Sequence, residues 1–65
     1  MKITLNGEPV ETASVSLAEL LVTLDHKPGS VATAVNGEFV AITDRDETKL
    51  NENDSVDVIA PMAGG

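Results

Sequence analysis

From Met1 to Leu5 apolar and polar residues alternate, the alternation breaks at Asn6-Gly7, and it resumes from Glu8 to Thr12. A period of two predicts strands, and Asn-Gly supplies the positive-φ positions of a type I′ hairpin turn. A two-residue loop sets the register: Leu5 lies opposite Glu8 and Ile3 opposite Val10, with Ile3 and Val10 on the core face. Pro9 has no N–H to give to a ladder, so the second strand belongs at the sheet edge. The first strand keeps its other side for a further partner.

The period then changes. Leu17, Leu20, Leu21 and Leu24 stand at i, i+3, i+4 and i+7, the apolar stripe of a helix that must cover one face of the sheet. Ser16 and Glu19 have capping-box spacing at its start. Lys27-Pro28-Gly29 is expected to end it, with His26 and Lys27 where positive charge suits a helix C-terminus. Alternation returns in 31–35 and 38–42, joined by a second Asn-Gly turn at Asn36-Gly37. Both alternations of this hairpin carry apolar residues, so Phe39, the only aromatic residue, belongs either to the core or to a partner surface, and the core is expected because large side chains are scarce here. Residues 43–53 turn polar: Asp44, Arg45, Asp46 and Glu47 read as a solvated charge run, in a loop with one helical turn anchored by Leu50. The last strand, 55–60, puts Val56, Val58 and Ala60 on one face and Asp57 and Ile59 on the other.

Composition narrows what such a chain can do. With 65 residues it is near the lower limit for unaided folding, too small for a buried active-site cleft. It reads as one domain over 1–60, with 61–65 as a flexible tail. Four Lys and Arg against eleven Asp and Glu give a net charge of −7, which disfavours nucleic acid and anionic membrane surfaces and favours basic protein partners. No apolar run reaches membrane-span length, and the chain opens on strand pattern instead of a signal peptide, so a cytoplasmic location is expected. There is no cysteine, hence no thiol nucleophile. His26, the only histidine, has no ligand partners at metal spacing, and Asp44 and Asp46 lack the glycine and glutamate that a calcium loop needs. No metal site is expected.

The last residues carry the chemistry. Pro61-Met62-Ala63-Gly64-Gly65 follows the final strand without a linker, and glycines lacking Cβ can run through a channel too narrow for other residues. A bare terminal carboxylate is a poor electrophile until it becomes a mixed anhydride, so its use calls for a separate ATP-dependent enzyme. Ile59 and Met62, large and apolar beside that tail, are candidate docking residues.

The order strand, turn, strand, helix, strand, turn, strand, polar loop, strand and Gly-Gly resembles that of ubiquitin-like β-grasp proteins. More specifically, Ile3-Thr4-Leu5-Asn6-Gly7-Glu8, Ala34-Val35-Asn36-Gly37-Glu38-Phe39-Val40 and Asn53-Asp54-Ser55-Val56-Asp57-Val58-Ile59-Ala60-Pro61, with Gly64-Gly65, resemble the bacterial thiamine-biosynthesis sulfur carriers, the ThiS family. The likeness covers essentially the whole chain. One departure is Asn53-Asp54 in the turn where that family commonly has Gly-Asp, and asparagine tolerates positive φ there. The resemblance implies an α+β, β-grasp fold: a mixed sheet of about five strands, one helix packed across one face, and an extended C-terminal tail. It also implies a mechanism. An E1-like activating enzyme uses ATP and Mg to adenylate the Gly65 carboxylate, and sulfur from a cysteine desulfurase replaces the adenylate to leave a thiocarboxylate. Thiazole synthase then takes that sulfur into the thiazole ring of thiamine. On this reading the chain is a carrier and co-substrate, not an enzyme, with no bound cofactor, and Gly64 and Ala63 serve by being thin. Three other readings use the same residues: the small subunit of molybdopterin synthase, which the Pro61 before the tail suits and the short length disfavours; a ubiquitin-like modifier joined to lysines; and a small interaction module whose glycines are incidental.

Overall fold

The computed structural model describes residues 1–60. Both Asn-Gly pairs form the turns that their backbone freedom allows, with φ of 51° and 86° at Asn6 and Gly7 and 53° and 85° at Asn36 and Gly37. The first joins β1 (Lys2–Leu5) to β2 (Glu8–Glu11), and the second joins β3 (Ala32–Val35) to β4 (Glu38–Val40). Ile3 pairs with Val10 and Leu5 with Glu8, the register expected of a two-residue loop. Asn53 turns the chain into β5 (Ser55–Ile59) at φ 71°. That last strand inserts between the two hairpins, parallel to β1 and antiparallel to β3, so the sheet order is β2-β1-β5-β3-β4. Pro9 accordingly sits on an edge strand, exposed. A mixed five-stranded sheet crossed by one helix is the β-grasp arrangement.

The helix α1 (Leu17–Thr23) has 7 residues. Isolated helices shorter than about 12–15 residues are marginal in water, so α1 stands by packing. Leu17, Leu20 and Leu21 are buried with Ile3, Val31, Leu50, Val56 and Val58 in one core between helix and sheet. Burying each leucine contributes about 1.5–3 kcal/mol. At its start the Ser16 hydroxyl accepts from the Glu19 amide at 3.2 Å, and the Glu19 carboxylate accepts from the Val15 amide at 3.2 Å, one residue earlier than in the usual capping box.

The helix ends sooner than Lys27-Pro28-Gly29 suggests. Asp25 takes φ 64°, and the amides of Asp25 and His26 bond to the carbonyls of Val22 and Leu21 at 3.0 and 2.9 Å, a Schellman closure with aspartate where glycine is usual. Pro28–Ser30 forms a separate 3-10 turn, and the last turn of α1 carries no basic residue, so His26 and Lys27 do not complement the helix dipole as expected.

Two further expectations fail. Phe39 is 74% exposed instead of buried. It pairs with Ala34 on the face away from α1, whereas its neighbour Val40, opposite Thr33, faces the core. The charge run folds as a 3-10 helix, Ile42–Glu47, in which Asp44, Asp46 and Glu47 are exposed but Arg45 is only 3% exposed. The β3–β4 pairing stops at Thr33 and Val40, which leaves the Val31 carbonyl beyond the last rung. The Arg45 guanidinium fills that gap, donating to Val31 O and Pro28 O at 2.7 Å each and to Thr33 Oγ1 at 3.0 Å. Leu50 is buried, as expected of the anchor of this segment.

Candidate functional site

Because α1 covers one face of the sheet, every second residue of each strand is turned to the opposite, open face. On β5 these are Ser55, Asp57 and Ile59, since Val56 and Val58 are in the core. Ala32 stands opposite Ile59, and Ala34 stands between Asp57 on one side and Phe39 on the other. Ile59 is 62% exposed and Phe39 74%. Two small residues therefore lie between two large ones, an apolar strip crossing β4, β3 and β5 with Asp57 at its border. Such a surface can receive an apolar side chain, and it runs to the end of β5.

Two side-chain carboxamides add to the backbone ladders that place β5 between β1 and β3. The chain leaves β1 at Leu5 to make its turn, so the next rung on β5, paired with β3 on one side, has no β1 backbone on the other. Asn6 supplies one: Val58 N donates to Asn6 Oδ1 at 2.8 Å and Asn6 Nδ2 donates to Val58 O at 3.1 Å. At the other end of the strand, Ser55 N donates to Asn36 Oδ1 at 2.9 Å, and Asn36 Nδ2 donates to Asp54 Oδ1 at 3.0 Å. Both Asn-Gly pairs thus shape a turn and hold β5.

Of the candidate residues, Ile59 lies where the alternation of β5 puts it, exposed and last in the strand. Met62, Ala63, Gly64 and Gly65 lie outside the described residues, as does the division of the chain at 60/61 on its tail side. Ala60, expected on the core face, is exposed because the strand ends one residue before it. Phe39, expected in the core ahead of a partner surface, joins Ile59 on the open face. The signal available was the register of the two-residue loop, which pairs Phe39 with Ala34 but leaves open which face the helix takes. Among the described residues no three His, Cys, Asp or Glu side chains stand close enough to hold a metal ion, and no helix is long and apolar enough to cross a membrane.

The sequence model of the ThiS family matches residues 3–65. Among solved structures, the crystal structure of a thiamine biosynthesis protein (ThiS) from Geobacter metallireducens is similar at a TM-score of 0.85 and 29% identity, with 100% of both chains covered. The solution structure of a thiamine biosynthesis protein from the same organism is similar at a TM-score of 0.83 and 32% identity, covering 100% of this chain and 88% of that one. No curated protein matches the chain.

Proposed function

The chain belongs to the ThiS family, and on that premise we propose that it carries sulfur for thiamine biosynthesis as a thiocarboxylate on Gly65. The match over residues 3–65, which takes in Gly64 and Gly65, carries this reading. The open sheet face beside the end of β5 supports it, because a carrier must be gripped without obstructing its reactive end. Six positions separate Ile59 from Gly65. Fully extended, that length spans about 20 Å, enough to enter a partner's active site while the domain stays outside.

Activation begins when a Gly65 carboxylate oxygen attacks the α-phosphate of ATP on an E1-like enzyme, releasing pyrophosphate and leaving an acyl-adenylate. The terminal sulfur of a persulfide supplied by a cysteine desulfurase attacks the acyl carbon and displaces AMP. A thiol reductant then cleaves the S–S bond of the acyl disulfide so formed, releasing the thiocarboxylate and a disulfide. The resulting thiocarboxylate keeps one negative charge but presents a soft nucleophilic sulfur, which thiazole synthase consumes. Since the chain has no cysteine, covalently carried sulfur has no thiol of its own to ride on. ATP and Mg are the activating enzyme's cofactors; this chain is the co-substrate. The cytoplasm, where ATP is supplied, is the proposed compartment.

The test is intact-mass analysis after incubation with the activating enzyme, ATP and a sulfur source. The expected products are an acyl-adenylate and then an oxygen-to-sulfur exchange, both confined to Gly65. No adenylate under these conditions, or sulfur found elsewhere, overturns the reading.

Ile59, together with Met62 and Phe39, is proposed to dock the activating enzyme. Ile59→Asp is expected to raise the KM for adenylation about tenfold to a hundredfold, since each tenfold corresponds to 1.4 kcal/mol and a buried isoleucine contributes about 1.5–3 kcal/mol. A strand residue that is 62% exposed has little folding energy to lose, so the melting temperature is expected to hold. An unchanged KM would remove Ile59 from the interface.

A further inference from the structure

We propose that Asn6 is a positioning residue for the end of β5, holding Val58 and Ile59 in the docking geometry that the partner enzyme recognises; this rests on the carrier reading above. Three observations support it. The backbone of β1 pairs with β5 only through Thr4–Ser55 and Leu5–Val56, so the outer half of β5 has no β1 backbone beside it. The Asn6 carboxamide occupies that place as donor and acceptor to the same residue, Val58, across 52 positions of sequence. Val58 immediately precedes Ile59, the exposed residue that ends the strand.

The choice of residue fits this task. A turn position at φ 51° accepts glycine or aspartate as well as asparagine. Only asparagine among these offers an N–H and a C=O side by side, the complement of a peptide group. Glycine at this site makes the turn and leaves Val58 N–H and C=O unpartnered. Aspartate keeps an acceptor for Val58 N–H but turns a carboxylate oxygen toward Val58 C=O. In either case the last rung of β5 opens part of the time, and Ile59 leaves its place opposite Ala32.

A docking surface formed only a fraction of the time weakens apparent affinity by that fraction. Asn6→Gly is therefore expected to raise the KM for adenylation about tenfold with kcat unchanged, since at saturating carrier every enzyme molecule holds the closed form. Asn36→Gly provides the comparison. It removes the same chemistry from the same kind of turn but at the Ser55 end of β5, and its KM is expected to stay within about twofold of the parent's. Asn6→Asp is expected to match or exceed the KM increase of Asn6→Gly.

A second measurement needs no enzyme. Amide hydrogen exchange in the isolated protein is expected to be at least about tenfold faster at Val58 in Asn6→Gly than in the parent, with little change in Asn36→Gly. Equal KM increases in both glycine variants, a fall in kcat with KM unchanged, or Val58 exchange no faster in Asn6→Gly would each overturn the proposal. A parent protein that forms no adenylate speaks against the carrier reading instead, and the exchange result then still decides whether Asn6 holds the strand end.

Discussion

Arg45→Ala is expected to lower the unfolding free energy by about 4 kcal/mol, the sum of three hydrogen bonds to a charged donor at roughly 1.5–3 kcal/mol each, less what water entering the site restores. Arg45 is 3% exposed and forms no ion pair among the described residues, so carbonyl and hydroxyl dipoles alone compensate its charge. Removing it strands the carbonyls of Pro28 and Val31 and leaves Thr33 Oγ1, which itself donates to Val40 O at 2.9 Å, without its charged donor. The effect spreads because these bonds tie the 42–47 segment to the 28–30 turn, β3 and β4. A domain of this size has about 3–10 kcal/mol of stability in all, at 0.05–0.15 kcal/mol per residue. The variant therefore loses a large share of it. With a urea m-value near 1 kcal/mol/M for a small protein, the midpoint should fall by about 3–4 M, or folding should fail outright. Arg45→Lys is expected to recover less than half, because a compact ammonium does not reach three acceptors set apart by a planar fork. A midpoint shift under about 1 M in Arg45→Ala would mean that the buried guanidinium contributes little net free energy.

The second large effect is on activity and spares the fold. Gly64→Trp is expected to lower kcat/KM for adenylation by more than about a hundredfold, the loss that follows when a reacting group is misplaced by an ångström. The parent melting temperature should be retained, since position 64 follows the last core residue, Val58, by six positions. Gly64→Ala should fall between, because a single methyl would intrude less on the narrow channel proposed for the tail. Circular dichroism and single-turnover adenylation on the same samples separate the two readouts. An unchanged adenylation rate in Gly64→Trp would dispose of the narrow-channel account of Gly64 and Ala63, leaving activation of Gly65 itself to be judged by the mass experiment.

These two positions differ in how openly the chain declares them. Gly64 stands in a terminal Gly-Gly whose chemistry is local, so its proposed role can be read without knowing the fold. Arg45 sits in Asp44-Arg45-Asp46-Glu47, where a lone cation among carboxylates gives every local sign of being solvated. No windowed pattern distinguishes it from its neighbours. Phe39 is the converse case. Its size argues for burial, yet the hairpin carries apolar residues on both faces, and the position of α1 settles which face is covered.

Features that close within a few residues were already written in the order of the amino acids. Both type I′ turns follow from Asn-Gly, the β1–β2 register from a two-residue loop, the start of α1 from Ser16 and Glu19, and the inward set Val56 and Val58 from a period of two. The rest waited on how distant segments meet. The insertion of β5 between the hairpins gives Asn6 a partner 52 positions away and gives Phe39 and Ile59 a common face, while the early end of the β3–β4 ladder gives Arg45 its acceptors. The physical reason is that turn and cap preferences are energies of adjacent backbone, whereas burial and hydrogen-bond satisfaction depend on which distant segment arrives opposite.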